Sequence, residues 1–397
     1  VTPRTVKPAL PPFLPPLLLT LSLCSFAALC VLQRIPMADL LVYRAEGEAV
    51  AHGGDLYGFT VTEWRLPATY PPFAAVLFVP TTWIPVPALK VAFLAGNALL
   101  LAGLVHLSAR LAGRTAPVPL LCTATALSLW LEPVFQTLLF GQINLLIACL
   151  VLWDLTRAPG ARGKGVALGL AAGIKLTPAV FIAYLFLTGR RREAATASAA
   201  FGGTALLGAL MLPAAGVDFW TRRLYETGRV GKGWIVDNQS LQGLVARVSG
   251  DPAPGLAWLL PAAVVGALGL WLAARAAEER HGILLTAFTA LLVSPISWSH
   301  HWVWCVPLTA VLLAEGRVRL AALTLTVFTA RTMWLLPHQG DLDLRLPWWQ
   351  EPLAAPYPLL ALALLMGSAV LGQRRQSGRA RLDSQPSARI SSASTIR

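Results

Sequence analysis

Charge is what this chain has least of. Only 13% of its 397 residues are Asp, Glu, Lys or Arg, where a soluble domain carries about 25%. So few charges cannot solvate a globule of this size, which excludes a water-soluble body and makes lipid the main solvent. Cysteine is scarce as well. Cys24, Cys30, Cys122, Cys149 and Cys305 lie in or beside apolar runs, with no CxxC pair and no Cys/His ligand spacing. Neither a disulfide framework nor a zinc site is expected from them. No internal repeat is detectable. A basic face on a soluble domain, which nucleic-acid binding would require, is missing too, despite a net charge of +13.

What the sequence does have is apolar length. Hydrophobic residues make up 56% of it, in stretches near the roughly 20 residues of a bilayer span. The first span is expected at Phe13 to Gln33 and another at Ala88 to Leu111. Further apolar segments fall near 118–132, 142–156, 165–174, 178–189, 193–213, 255–275, 282–296, 301–315, 318–336 and 355–372. The Arg4/Lys7 start resembles a signal peptide. Its Pro-rich flanks and the lack of a small-residue cleavage site instead suggest a retained span, with Val1 expected to reflect an alternative start codon.

Arg and Lys collect between these stretches, at Arg110/Arg114, Arg157/Arg162/Lys164, Arg190/Arg191/Arg192, Arg275/Arg280, Arg317/Arg319 and Arg374/Arg375/Arg379/Arg381. Such clusters mark cytoplasmic loops. Placing them inside puts 34–87, 132–141, 214–254, 297–300 and 337–354 outside, with about twelve crossings and both termini in the cytoplasm. The expected fold is an all-α polytopic membrane protein. Residues 1–372 form the membrane domain, and 373–397 form a basic, disordered tail. Segment 214–254 is basic but assigned outside, which suggests that it meets something anionic.

Several polar groups stand out against this background. Asp39 opens the first outer loop, either as a solvated acid, as a partner of Arg44, or as a catalytic group. Lys175 sits between two apolar halves too short for ordinary crossings, in Gly173-Ile174-Lys175-Leu176-Thr177-Pro178. Pro178 breaks the helix, and an ionisable group at such depth is either functional or snorkelling to the interface. His300-His301 joins two spans and suits phosphate binding or interfacial anchoring better than metal ligation. Asp237-Asn238-Gln239-Ser240 and Gly141-Gln142-Ile143-Asn144 offer hydrogen-bonding groups to a sugar or head group. Asp341-Leu342-Asp343 matches a metal-binding DxD only in two residues, and no metal site is expected from it.

Taken in order, Asp39-Leu40-x-Val42-Tyr43, Gly54-Asp55-Leu56-Tyr57, Tyr70-Pro71-Pro72-Phe73, Gly141-Gln142-x-Asn144, Lys175-x-x-Pro178, Asp237-Asn238-Gln239-Ser240 and Ser294-Pro295-x-Ser297-Trp298-x-His300-His301 resemble glycosyltransferase family 87. That family comprises actinobacterial polyprenyl-phosphate-mannose-dependent α-(1→2)-mannosyltransferases, and the resemblance runs from about residue 35 to 310. It implies a GT-C-type helical bundle whose extracytoplasmic loops form the active site, a polyprenyl-phosphate-mannose donor, a glycolipid or glycan acceptor, and no cofactor. Asp39 is then the expected catalytic base, a single acid rather than a pair, because the donor already carries a phosphate leaving group. Lys175, His300, His301, Arg222 and Arg223 are the expected donor-phosphate ligands. Tyr43, Tyr57, Gln142, Asn144, Asn238 and Gln239 are the expected sugar or acceptor contacts. The competing reading is a transporter or lipid-linked-sugar flippase, since broken helices and intramembrane charge also mark transport sites. Nothing in the sequence points to an oligomeric state.

Overall fold

The computed structural model describes residues 11–383, with side chains to residue 370. Among these residues the regular secondary structure is helical apart from one short hairpin. Proline starts many of the helices, as its fixed φ and missing amide hydrogen permit at a first turn. The first group is α1 (Leu14–Leu32), α2 (Ala38–His52), α3 (Pro72–Phe78), α4 (Val86–Leu111), α5 (Val118–Ser128) and α6 (Glu132–Phe140). Next come α7 (Asn144–Leu155), α8 (Val166–Ile174), α9 (Val180–Leu187), α10 (Arg191–Met211) and α11 (Pro213–Asp218). The rest are α12 (Leu241–Ser249), α13 (Leu256–Ala274), α14 (Glu279–Val293), α15 (Cys305–Ala314), α16 (Val318–Ala330), α17 (Glu351–Ala354) and α18 (Pro356–Asp383). Between α2 and α3, β1 (Thr60–Val61) pairs antiparallel with β2 (Leu66–Pro67).

Four of the described helices, α1, α4, α10 and α13, are long and apolar enough to cross a membrane. A fifth crossing arises if α5 and α6, bent by 78° at their break, count as one. The chain is a helical membrane protein, but the expected twelve crossings are not established by length. The reason is local: Gly and Pro cut the remaining apolar runs into pieces such as α7, α9 and α15, of 12, 8 and 10 residues. The final helix continues to Asp383, past the boundary expected at 372, and 384–397 lie outside the described residues.

Close packing of α8 on α10 rests on glycine. Gly165, Gly169 and Gly173 recur every fourth residue on one face, and a Cβ on Gly169 or Gly173 would overlap the Ala197 carbonyl or the Thr204 side chain. Without a strong hydrophobic drive between helices in lipid, such backbone approach supplies the contact. It fixes the end of α8, and with it the residue that follows, Lys175.

The basic clusters are tied together at one end of the bundle. Arg110 and Arg114 donate to the carbonyls of Thr156 and Ala314 at 2.9 and 3.2 Å. Lys164 donates to the Arg157 carbonyl at 2.6 Å and faces Glu193 at 3.8 Å. Arg190 bridges Glu193 and Glu279, and Arg280 and His281 reach Glu315 at 3.0 and 2.6 Å. These bonds close a ring around the helix ends. The segments grouped on the opposite side by the sequence reading also contact one another. Arg229 donates to the Ala68 carbonyl at 3.0 Å, Lys232 pairs with Asp341 at 2.9 Å, and Asn238 bridges to Trp298.

Candidate active site

That second end holds a cavity of about 820 Å³. Asp39 lines it from the first turn of α2, just after Met37, whose left-handed φ of 53° turns the chain from α1 into α2. A residue without glycine's freedom in that region stores strain of a kind that collects at functional sites. Gly141 ends α6 against this turn at φ 69°, and a Cβ there would lie 2.9 Å from that of Leu40. Only glycine meets both demands, the positive φ and the close approach. The fit brings the next residue, Gln142, beside Asp39.

The orientation of Gln142 follows from its partners. Its Oε1 accepts from the Tyr43 and Tyr70 hydroxyls at 2.7 and 3.1 Å. The amide hydrogens are thereby left toward Asp39. Helix α2 is none of the spanning helices, and the Asp39 carboxyl is pushed up from 3.8 to about 6. Burial is the main cause. The Gln142 side chain and the Lys175 charge oppose it, and the Asp237 charge adds to it. A carboxyl poised near neutrality can both take and release a proton at working pH.

Lys175 stands where the helix breaks. α8 stops at Ile174, Lys175 is extended at φ −143° and ψ 127°, and a 3₁₀ turn at Thr177–Ala179 leads into α9. Its Nζ donates to Asn144 Oδ1 at 2.9 Å, lies 3.0 Å from His301 Nε2, and sits over the Tyr70 ring at 5.6 Å. An ammonium bonded to that nitrogen requires it to accept, which leaves the proton of a neutral His301 on Nδ1. The Asn144 amide nitrogen and Thr137 hydroxyl both donate to the His300 carbonyl at 3.0 Å, so one amide aligns both Lys175 and the histidine segment. The His300 ring is 4% exposed, lines the cavity, and has no hydrogen-bond partner on either nitrogen among the described residues. Buried polar atoms are rarely left so, and a ligand would satisfy them.

Of the residues singled out from sequence, Asp39, Gln142, Lys175, Arg223, His300 and His301 line the cavity. The others do not, for physical reasons. Tyr43 is fully buried and spent on Tyr70 and Gln142, and Tyr57 donates to the Tyr70 carbonyl at 3.0 Å. Asn144 lies behind Lys175. Asn238 and Gln239, both 0% exposed, spend their amides on backbone: Asn238 on Gly233, Pro295 and Ser297, Gln239 on Val236, Ala354 and Tyr357. They hold the loop and cannot turn to a sugar. Arg222 points outward, its side chain 62% exposed and paired with Glu226 at 2.7 Å.

The basic loop's charge is mostly answered internally. Arg223 pairs with Asp218 at 2.6 Å, Lys232 with Asp341, and Arg247 reaches three backbone carbonyls and Glu351. Asp343 accepts from the Val236 amide at 2.9 Å, so both acids of the DxD match hold this loop in place. The cavity is also lined by the hairpin residue Trp64, which sequence reasoning missed, and by Asp237 and Trp298, which lay in runs that it quoted. The hairpin had no legible signal; Asp237 lay in a quoted run whose inward-facing member could not be chosen.

The far wall is apolar. Val180 at the start of α9, Ala290 and Val293 on α14, and Ile296 form a flank beside the polar groups. One cavity therefore joins a carboxylate and a cation to a surface fit for hydrocarbon.

The sequence profile of glycosyltransferase family 87 matches residues 68–295. A polyprenol-phosphate-mannose-dependent alpha-(1-2)-phosphatidylinositol mannoside mannosyltransferase of Mycobacterium tuberculosis is 34% identical over 83% of each chain. A polyprenol-phosphate-mannose-dependent alpha-(1-2)-phosphatidylinositol pentamannoside mannosyltransferase of Mycolicibacterium smegmatis is 36% identical over 68% of each chain. No solved structure matches the chain. With the profile covering more than half of its length and a relative 34% identical over 83% of each chain, this chain belongs to glycosyltransferase family 87.

Proposed function

We propose that the protein transfers mannose from polyprenyl-phosphate-mannose to a hydroxyl of a mannosylated lipid or glycan, forming an α-(1→2) linkage at the extracytoplasmic face of the plasma membrane. Asp39 and Lys175 bordering one cavity with an apolar flank is the observation that carries this reading. The relatives' mannosyl donors and phosphatidylinositol mannoside acceptors support it. A GT-C-type architecture fits the broken helices and the loops gathered over the site.

The chemistry needs one proton transfer. The acceptor hydroxyl attacks the anomeric carbon of a β-linked donor, Asp39 takes its proton, and the bond to the phosphate oxygen breaks with inversion. Negative charge grows on the departing polyprenyl phosphate, and Lys175, aligned by Asn144, stabilises it. His300, with free ring nitrogens, and His301 complete the phosphate pocket, and Arg223 stands at its edge. The polyprenyl tail leaves along the flank between α9 and α14, so donor and product stay in the membrane.

The test is incubation of membranes carrying the protein with labelled polyprenyl-phosphate-mannose and a phosphatidylinositol mannoside. A new, more polar mannolipid supports the transferase. The broken α8–α9 segment also suits a flippase, and movement of donor across the membrane without product would favour that reading instead.

A further inference from the structure

The run Asp237-Asn238-Gln239-Ser240 holds one side chain that the local structure does not use up. Asn238 Nδ2 and Ser240 Oγ both donate to the Pro295 carbonyl, at 3.0 and 3.1 Å, and Asn238 Oδ1 accepts from the Ser297 amide at 2.9 Å. The Gln239 amide donates to the Ser297 carbonyl at 2.9 Å, and its side chain is spent on the backbone of α17 and α18. These bonds nail the loop to the segment that carries His300 and His301. Asp237 alone faces the cavity. Its Oδ1 accepts from the Ser299 amide at 3.1 Å, and it forms no salt bridge among the described residues.

An ionised carboxylate offers about four acceptor positions. Here the Ser299 amide fills one, and the half-buried carboxylate keeps its remaining positions open to the cavity, where hydroxyl donors of a bound ligand would meet them. Sugars are rich in such donors. Position says which sugar: Ser299, which anchors Asp237, immediately precedes His300 and His301, and these lie beside Lys175. A donor whose phosphate sits on that cluster carries its sugar into the cavity that Asp237 also lines.

We propose that Asp237 is a second substrate-binding carboxylate, accepting hydrogen bonds from hydroxyls of the donor's sugar and so selecting that sugar, apart from the base role of Asp39. This rests on the donor reading above. It departs from the single-acid expectation by giving the site two carboxylates with unlike duties, one for the acceptor proton and one for the transferred ring.

Equilibrium binding tests it without turnover. The protein in lipid nanodiscs is titrated with polyprenyl-phosphate-mannose and, separately, with polyprenyl phosphate lacking the sugar, using wild type and Asp237→Asn. The asparagine oxygen still accepts from Ser299, so the loop keeps its anchor. Losing charge-assisted hydrogen bonds should weaken the mannose-bearing lipid roughly 10- to 100-fold and leave polyprenyl phosphate within about twofold. Equal affinity of wild type and variant for the mannose-bearing lipid overturns the assignment, as does equal weakening of both lipids, which would mark a local structural role. If wild type binds neither lipid, the donor reading itself falls, and this inference with it.

Discussion

Replacing Asp39 by asparagine should remove activity and raise stability at once. Burial holds the carboxyl at about 6, where an exposed aspartate has 3.8. At 1.36 kcal/mol per pH unit, keeping it ionised at neutral pH costs about 3 kcal/mol of folded-state stability. The sign follows from the direction of the shift. A carboxyl whose folded value is raised binds its proton more tightly when folded, so stability is greatest below about 4 and is lost as pH rises through about 6. Asparagine cannot ionise and escapes that loss. In detergent, the unfolding transition of Asp39→Asn should lie above wild type at pH 7.5, and the gap should close between about pH 6 and 4. Transfer should fall by about 10²- to 10⁴-fold, the ordinary worth of a positioned base. Wild-type kcat/KM should drop about tenfold per pH unit below 6, as the carboxylate is protonated. A variant less stable than wild type at neutral pH would refute the reasoning. So would a wild-type rate that stays level down to pH 5 when chemistry is rate-limiting.

Lys175→Met should raise the donor KM by roughly 10- to 100-fold, since a charge-assisted bond to phosphate is lost; steady-state kinetics with varied donor concentration reads this directly. Asn238→Ala orphans the Ser297 amide and the Gly233 carbonyl and should lower stability by about 1–3 kcal/mol, seen as a depressed thermal transition with unchanged KM in the folded fraction. Arg222→Ala should leave turnover within about twofold, as an exposed ion pair is worth little, whereas Arg223→Ala, at the cavity edge, should lower it further; matched assays of the pair decide whether the outward arginine was rightly set aside. Gly169→Leu should push α8 off α10 and deplete folded protein, measured by size-exclusion profile after extraction, because small residues are what allow that contact.

Several residues that line the candidate cavity stood out in the sequence because they are chemically out of place. A lysine between two short apolar halves and a histidine pair between spans each break a composition that lipid otherwise dictates. The basic clusters grouped by the sequence reading do contact one another. Which side chains of a polar run face inward was not legible. For Asp237 through Ser240 that depends on the pairing of Asn238 with Trp298, a contact between residues sixty apart in sequence that no local pattern encodes. The roles of Tyr43 and Tyr70 were similarly hidden, since they come from meeting Gln142 across 99 and 72 residues. Helix length leaves the span count open for another reason. Periodicity finds apolar stretches, but Gly and Pro decide where a helix stops.

The closed ring of arginine and acid contacts gives the molecule a rigid foot. Helices clasped at one end are held together there, so a widening that admits a lipid would pivot about the ring and open toward the cavity end, the mouth of the site. The two ends then answer differently to their surroundings. Salt added on the side of the foot screens the clasp and loosens the pivot, while salt on the side of the mouth acts on the ligand's phosphate. With the two ends on opposite faces of a sealed vesicle, as the proposed extracytoplasmic site has it, the same ion would act as a mechanical agent on one side and as a competitor on the other.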